Sequence, residues 1–213
     1  MFPKWTNHIP TFVAAGAGVG VVLVVSFINY YFSPRFTDVG YAPEQPVQYS
    51  HKLHAGLLGF DCRYCHNTVE HAAHAAIPAT QTCLNCHKEV KKDSPRLQMV
   101  RDSGATGEPI PWVKVHMLPD YAYFNHSVHT NIRGEGAIGC VSCHGRIDQM
   151  EVVRQDQPLN MGWCLECHRE PEAHLRPREE LTNMTYEHDS QWALEFKERG
   201  EVNPPQHCSA CHR

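Results

Sequence analysis

The sequence predicts a mainly α chain with much irregular structure: one N-terminal transmembrane helix, then a polar domain of short helices and loops. Three observations carry that expectation. An uncharged apolar run, Thr11 to Phe32, lies inside a window free of charge from Lys4 to Arg35. Beyond it the chain turns polar and is punctuated throughout, with 15 Pro and 14 Gly in 213 residues, which favours turns over long elements. Third, its 10 Cys and 16 His are far from scattered. A formal net charge of −4 and 9% aromatic residues exclude a nucleic-acid reader with a basic surface.

All ten cysteines fall in five C-x-x-C pairs, each followed directly by His: Cys62–Cys65–His66, Cys83–Cys86–His87, Cys140–Cys143–His144, Cys164–Cys167–His168 and Cys208–Cys211–His212. At this His content, five such coincidences by chance have odds of about two in a million. In C-x-x-C-H the two thiols form thioethers to the vinyl groups of a c-type haem, and the adjacent His becomes the proximal iron ligand. Structural zinc also uses C-x-x-C pairs. Zinc, however, calls for pairs in even numbers or for further ligands, and it gives no reason for His at one fixed offset. A disulfide framework or a thiol enzyme fails on the same offset. Five covalent haems are therefore expected. They would also supply the core that so polar a chain cannot build from side chains, so little or no sheet is expected and the soluble part should not fold without them.

The run TFVAAGAGVGVVLVVSFINYYF is 22 residues, long enough to span a bilayer core. Trp5 on one side and Tyr30, Tyr31 and Phe32 on the other suit the two interfaces. No small-x-small cleavage site follows, so an uncleaved anchor is expected rather than a signal peptide. Lys4 and the amino terminus favour a cytoplasmic N-terminus, and Arg35 is nearly offset by Asp38. Covalent haem attachment occurs outside the cytoplasmic membrane, so the haem domain is expected on the periplasmic or external side. The small residues Gly16, Gly18 and Gly20 would let another membrane helix approach closely. The expected organisation is a cytoplasmic tip and anchor at 1–32, a Pro-punctuated linker at 33–48, and a haem domain at 49–213.

Within 49–213 an order of features recurs. Tyr49-Ser50-His51-Lys52-Leu53-His54 precedes motifs at Cys62 and Cys83, and Phe124-Asn125-His126-Ser127-Val128-His129 precedes motifs at Cys140 and Cys164. Two di-haem repeats, 49–90 and 124–170, are thus expected, with a fifth haem in 171–213. Low-spin electron-transfer haems need a second axial ligand, commonly imidazole. Residues three apart on a helix are neighbours that point in different directions, so His51 and His54 are assigned to two irons, and His126 and His129 to two more. The fifth distal ligand is sought outside the repeats. His116 leads, with Met161, Met184, His188, His174 and His207 as rivals; His71 and His74, on short leashes between two motifs, are weaker candidates.

The stretches YSHKLH, DCRYCH, IPATQTCLNCH, PWVKVHMLPDYAYFNHSVH, GCVSCHGRIDQM, LNMGWCLECHRE, LRPREE and the final CSACHR resemble the pentahaem cytochrome c subunit of bacterial alternative complex III, from the anchor to the C-terminus. The two H-x-x-H units are also similar to the haem modules of small class III multihaem cytochromes. The resemblance implies a quinol-oxidising membrane complex. An iron–sulfur subunit and multi-span quinol-binding subunits would lie beside this chain, which would pass electrons to a monohaem cytochrome c, another carrier or an oxidase. It does not choose among His116, Met161 and Met184.

Three functions compete for such a chain. An electron-transfer subunit with no catalytic residue of its own fits best, since no dinucleotide fingerprint or P-loop is visible. A multihaem reductase would need one haem with an open distal position, and no motif departs from C-x-x-C-H. A stand-alone membrane multihaem quinol dehydrogenase donating to periplasmic reductases would need a quinol site, for which a single helix offers little.

Overall fold

The computed structural model describes residues 2–33, 37–200 and 202–212. Arg35, used above to weigh orientation, and the rest of 34–36 lie outside the described residues. The chain divides into two compact units, residues 1–38 and 39–213.

The first unit is a short 3-10 turn, Lys4–His8, leading into the 23-residue helix α1, Ile9–Tyr31. Pro10 sits in the first turn, where its missing N–H costs nothing. At 1.5 Å per residue α1 is about 34 Å long, and none of its residues is buried. It is long and apolar enough to cross a membrane.

The second unit is built of short pieces, as the punctuation predicts. The π-helical turn Lys52–Leu57 is followed by α2 (Cys62–Cys65), α3 (Thr80–His87), α4 (Gln98–Thr106), α5 (His126–Thr130), α6 (Cys140–His144), α7 (Met161–Arg169), α8 (Ser190–Gly200) and α9 (Cys208–Cys211). Sheet is limited, among the described residues, to two three-residue antiparallel strands. These are β1 (Gly136–Ile138) and β2 (Leu175–Pro177), with Ala137 opposite Arg176.

From Val39 onward, part of the expected 33–48 linker is packed structure. Gly40 N donates to Gln155 O at 2.8 Å and Gln155 N donates to Tyr41 O at 3.0 Å, while Val47 is buried with Leu84, Val100 and Ile110. The cause is an apolar side chain and a backbone that both find partners, despite the prolines around them.

The side-chain core is split into two small clusters. One joins α3 to α4 through Leu84 and Val100, aided by Thr80 Oγ1 donating to Ser103 Oγ and Ser103 Oγ donating to Glu108 O. Gly104 permits this approach, since a Cβ there would strike the Leu84 side chain. The other cluster seats Phe196 and Ala193 of α8 on Leu175 of β2, with Gly136 leaving room for the Phe196 ring. Neither cluster is large for 175 residues, in keeping with a domain that draws much of its core from elsewhere. The loop after the first motif ties back to α5: His126 N and Ser127 N donate to Ala73 O and Ala72 O, and Thr130 Oγ1 donates to Val69 O at 3.0 Å. Glu70 pairs with Arg178 at 2.9 Å.

Candidate haem sites

Each C-x-x-C pair lies on a helix: in α2, α6 and α9 it makes up the single turn, and in α3 and α7 the C-terminal part. Residues i, i+3 and i+4 share one helical face, so in α3, α6 and α7 both thiols and the following His project together, while His66 and His212 follow the helix in non-helical conformations. Two of these helices start on side-chain caps. Asp61 Oδ1 accepts from Arg63 N at 2.8 Å to start α2, and Asn160 Oδ1 accepts from Trp163 N at 2.9 Å to start α7. Arg63 also grips Asp61, holding its carboxyl at about 2. All ten cysteines are free of disulfides.

The imidazoles meet in pairs. His51 and His66 have ring centroids 6.5 Å apart and parallel planes, His54 and His87 are 6.3 Å apart, and His129 and His168 are 6.3 Å apart. Two metal–imidazole bonds of about 2 Å, plus about 1.1 Å from each Nε2 to its ring centre, require a separation of about 6.3 Å. The three pairs thus have the spacing of two axial ligands on one iron. Among the described residues no cluster of three or more His, Cys, Asp or Glu is placed to hold a bare metal ion. An all-protein zinc site needs four such donors, whereas a haem iron needs two. The donor set fits haem.

Nδ1 contacts set the tautomers. The Nδ1 of His66, His87 and His168 face the carbonyls of Ala76, Val90 and Pro205 at 2.7, 2.8 and 2.7 Å, and that of His212 faces Tyr121 O at 3.2 Å. Likewise His54, His126 and His129 face Ser50 O, Ala73 O and Asn125 O at 2.9, 2.8 and 2.8 Å. A carbonyl only accepts, so Nδ1 carries the proton and Nε2 keeps its lone pair for a metal. His51 Nδ1 is buried without a partner. Burial lowers His51 to about 4, reinforced by His66 and His54, and lowers His144 to about 3, reinforced first by His116. Burial also lowers His116, His126 and His129. Neutral imidazoles are the form that ligates.

The aromatic residue two positions before each H-x-x-H has a matching place in both units. Tyr49 stacks on His54 at 4.4 Å and 21° and stands edge-on to His51 at 4.8 Å and 86°. Phe124 stacks on His129 at 4.6 Å and 25° and stands edge-on to His126 at 4.8 Å and 89°. The sequence pattern contains these aromatics, but their role as ring clamps needed the third dimension.

The cysteines also place the motifs relative to one another. Burial pushes the Cys65 thiol up, with neighbouring Cys83 adding to it. The Cys140 thiol neighbours that of Cys62, which together with burial pushes Cys140 up. Burial pushes Cys143 up to about 12, helped by Cys167 and Cys164, and Cys164 is pushed up by burial and then by Cys211. Thiols of different motifs are thus neighbours, Cys65 with Cys83, Cys140 with Cys62, Cys143 with Cys167 and Cys164, and Cys164 with Cys211.

Of the remaining candidates, His126 lies near enough to His144 to lower it. His116 packs against His144, its Nε2 3.3 Å from His144 Nδ1. His212 is held by Tyr121 and by a backbone bridge to Ala122. Met161 opens α7 and is 65% exposed. Met184 lines a cleft beside Cys62. His174 and His188 are neighbours of each other, and His207 caps α9. His74 neighbours His126, and its carbonyl accepts from Thr68 Oγ1; His71 N donates to Thr68 O.

Residues 122–213 match the family described as cytochrome c7 and related cytochrome c. Over 126 residues the chain is 30% identical to the menaquinone reductase, multiheme cytochrome c subunit, of Nitratidesulfovibrio vulgaris (Hildenborough), covering 58% of this chain and 56% of that protein. The chain thus spans about half the length of the curated relative it matches. The motif spacing and both similarities support a multihaem cytochrome c that carries c-type haems.

Proposed function

We propose that this chain is a membrane-anchored pentahaem c-type cytochrome. It relays electrons within a quinol-oxidising respiratory or photosynthetic complex of the alternative complex III kind, and delivers them to a downstream cytochrome c, another carrier or an oxidase. The observation that carries the reading is the three imidazole pairs at axial-ligand separation. Iron held from both sides has no open position for a substrate, which favours electron transfer over catalysis. Haem supplies the one-electron chemistry; the chain sets spacing, ligation and exposure. The five C-x-x-C pairs would hold five haems, with His66, His87, His144, His168 and His212 as proximal ligands. His51, His54, His126 and His129 would serve opposite the first four. The relay would pass between motifs whose thiols neighbour one another, Cys83 with Cys65, Cys62 with Cys140, Cys143 with Cys164 and Cys164 with Cys211. Residues 11–32 anchor the chain in the inner membrane, with the haem domain on the periplasmic side. Its partners are iron–sulfur and multi-span membrane subunits and a monohaem cytochrome c or similar acceptor. The test is to purify the complex from membranes, measure haem per chain and add a quinol. Five haems per chain, all reduced by quinol only when the other subunits are present, support the reading. Reduction of the isolated chain by quinol would instead make it a stand-alone quinol dehydrogenase.

A second reading follows from the relative's description as part of a menaquinone reductase. In that direction electrons would leave to menaquinone. Supplying reduced cytochrome with menaquinone, or quinol with oxidised cytochrome, separates the two by which pair turns over.

A further inference from the structure

Of the nine histidines assigned here as iron ligands, seven direct Nδ1 at a backbone carbonyl and His51 at nothing. His144 is the exception. Its Nδ1 lies 3.3 Å from Nε2 of His116, with the two rings 4.6 Å apart and nearly perpendicular at 83°. Edge-to-face imidazoles at this distance suit one N–H donated into the other ring's lone pair. Iron needs the Nε2 lone pair of His144, so Nδ1 of His144 must hold the proton and donate. His116 then accepts through Nε2, and that nitrogen is no longer free to bind a metal.

We propose that His116 is a positioning residue for His144 rather than an iron ligand, orienting the proximal imidazole of the third haem site and making it more electron-rich. A hydrogen bond to the second nitrogen raises the basicity of a ligating imidazole and favours the more oxidised metal. At the other bonded sites that acceptor is the main chain. Here it is a side chain, so this site's potential depends on one replaceable residue.

His116 is itself braced. Three residues earlier, Val113 N donates to Gln45 Oε1 at 3.0 Å and Gln45 Nε2 donates to Val113 O at 2.8 Å. This clasp ties the irregular 107–125 segment to the segment leading out of residues 33–48. On the far side of His144, Gly145 turns the chain away at φ 60, where a Cβ would strike the Asp156 carboxylate.

The proposal rests on reading Cys140–Cys143–His144 as a haem site, and loss of one haem per chain in a Cys140→Ala, Cys143→Ala variant checks that reading separately. The test uses the holoprotein in its complex, with EPR for spin state and a spectroelectrochemical titration for potentials. His116→Leu should leave the number of low-spin centres unchanged and move one potential upward, by a change in reduction equilibrium of about tenfold, or about 59 mV for one electron. His116→Gln, which restores an acceptor, should return that potential toward the parent value, and Gln45→Ala should move the same centre part of the way. A high-spin centre that binds carbon monoxide in either His116 variant would make His116 an iron ligand and overturn the proposal. Unchanged potentials in His116→Leu would overturn it too. Should the leucine variant fail to assemble, His116→Gln alone decides: an unaltered low-spin count supports the proposal and a new high-spin centre refutes it.

Discussion

Gly56→Ala tests whether the packing of one short turn controls a ligand. Gly56 belongs to the turn Lys52–Leu57 that carries His54, and this turn lies on Ile147–Gln149, joined by Lys52 N donating to Met150 O at 3.0 Å. A Cβ at position 56 would fall on the Asp148 carbonyl oxygen, well inside contact, with Gln149 Nε2 3.7 Å away. The obstacle is backbone, so no side chain can swing aside. Ordinary contact requires the turn and the 147–149 segment to part by about 1 Å. Alanine in a helix gains about 1 kcal/mol over glycine, but overpacking costs about 1–3 kcal/mol, so the clash should win. His54 stands 6.3 Å from His87, and two metal–nitrogen bonds at the proposed site would leave little slack for a shift of about 1 Å. The expected result is partial loss of distal ligation at the second haem site: a high-spin fraction, carbon monoxide binding and a lowered Tm. A variant with unaltered spectra and a raised Tm would show that the interface relaxes freely, and the reasoning would fail.

Other substitutions probe the rest of the scaffold. Phe196 is 2% exposed in the cluster with Leu175 and Ala193, so Phe196→Ala should destabilise by about 3–5 kcal/mol, read by thermal melting of the holoprotein. Gly145 has φ 60 and ψ −159, a region essentially reserved for glycine; Gly145→Ala should lower haem content per chain, and full haem incorporation would count against this. Asp61 caps α2, and Asp61→Ala should cost about 1 kcal/mol near neutral pH. The Arg63 contacts hold its folded carboxyl at about 2 against an ordinary 3.8. Its contribution is therefore present above pH 3.8 and fades as pH falls through 2. The variant and the parent should converge at the acid end of a pH–stability curve, and a constant difference throughout would contradict the assignment.

Much of the candidate ligand set is legible because it is local. A C-x-x-C-H unit needs only one helical turn to aim two thiols and an imidazole, so its spacing is visible without knowing the fold. The H-x-x-H spacing is legible for the same reason, whereas the structure shows which imidazoles it meets, His51 beside His66 and His54 beside His87. His116 is not so legible. Its sequence neighbours say only that it lies in an irregular stretch. That it meets His144 depends on Gln45, 68 residues from Val113, pinning that stretch. Residues 39–48, inside the expected linker, show the same dependence on distant partners. Their prolines speak for local extension, while the burial of Val47 depends on Leu84, Val100 and Ile110 arriving from elsewhere.

By itself, then, the sequence determined the attachment chemistry, the apolar span and a chain of short helices, because each follows from a period or spacing within a few residues. Only the tertiary structure decided which motifs adjoin. The approach of Cys62 to Cys140 and of Cys164 to Cys211 spans 78 and 47 residues of sequence respectively. No local pattern encodes such separations. They arise when loops such as 66–77 close onto α5 and pair their backbone groups, which brings motifs distant in the chain together.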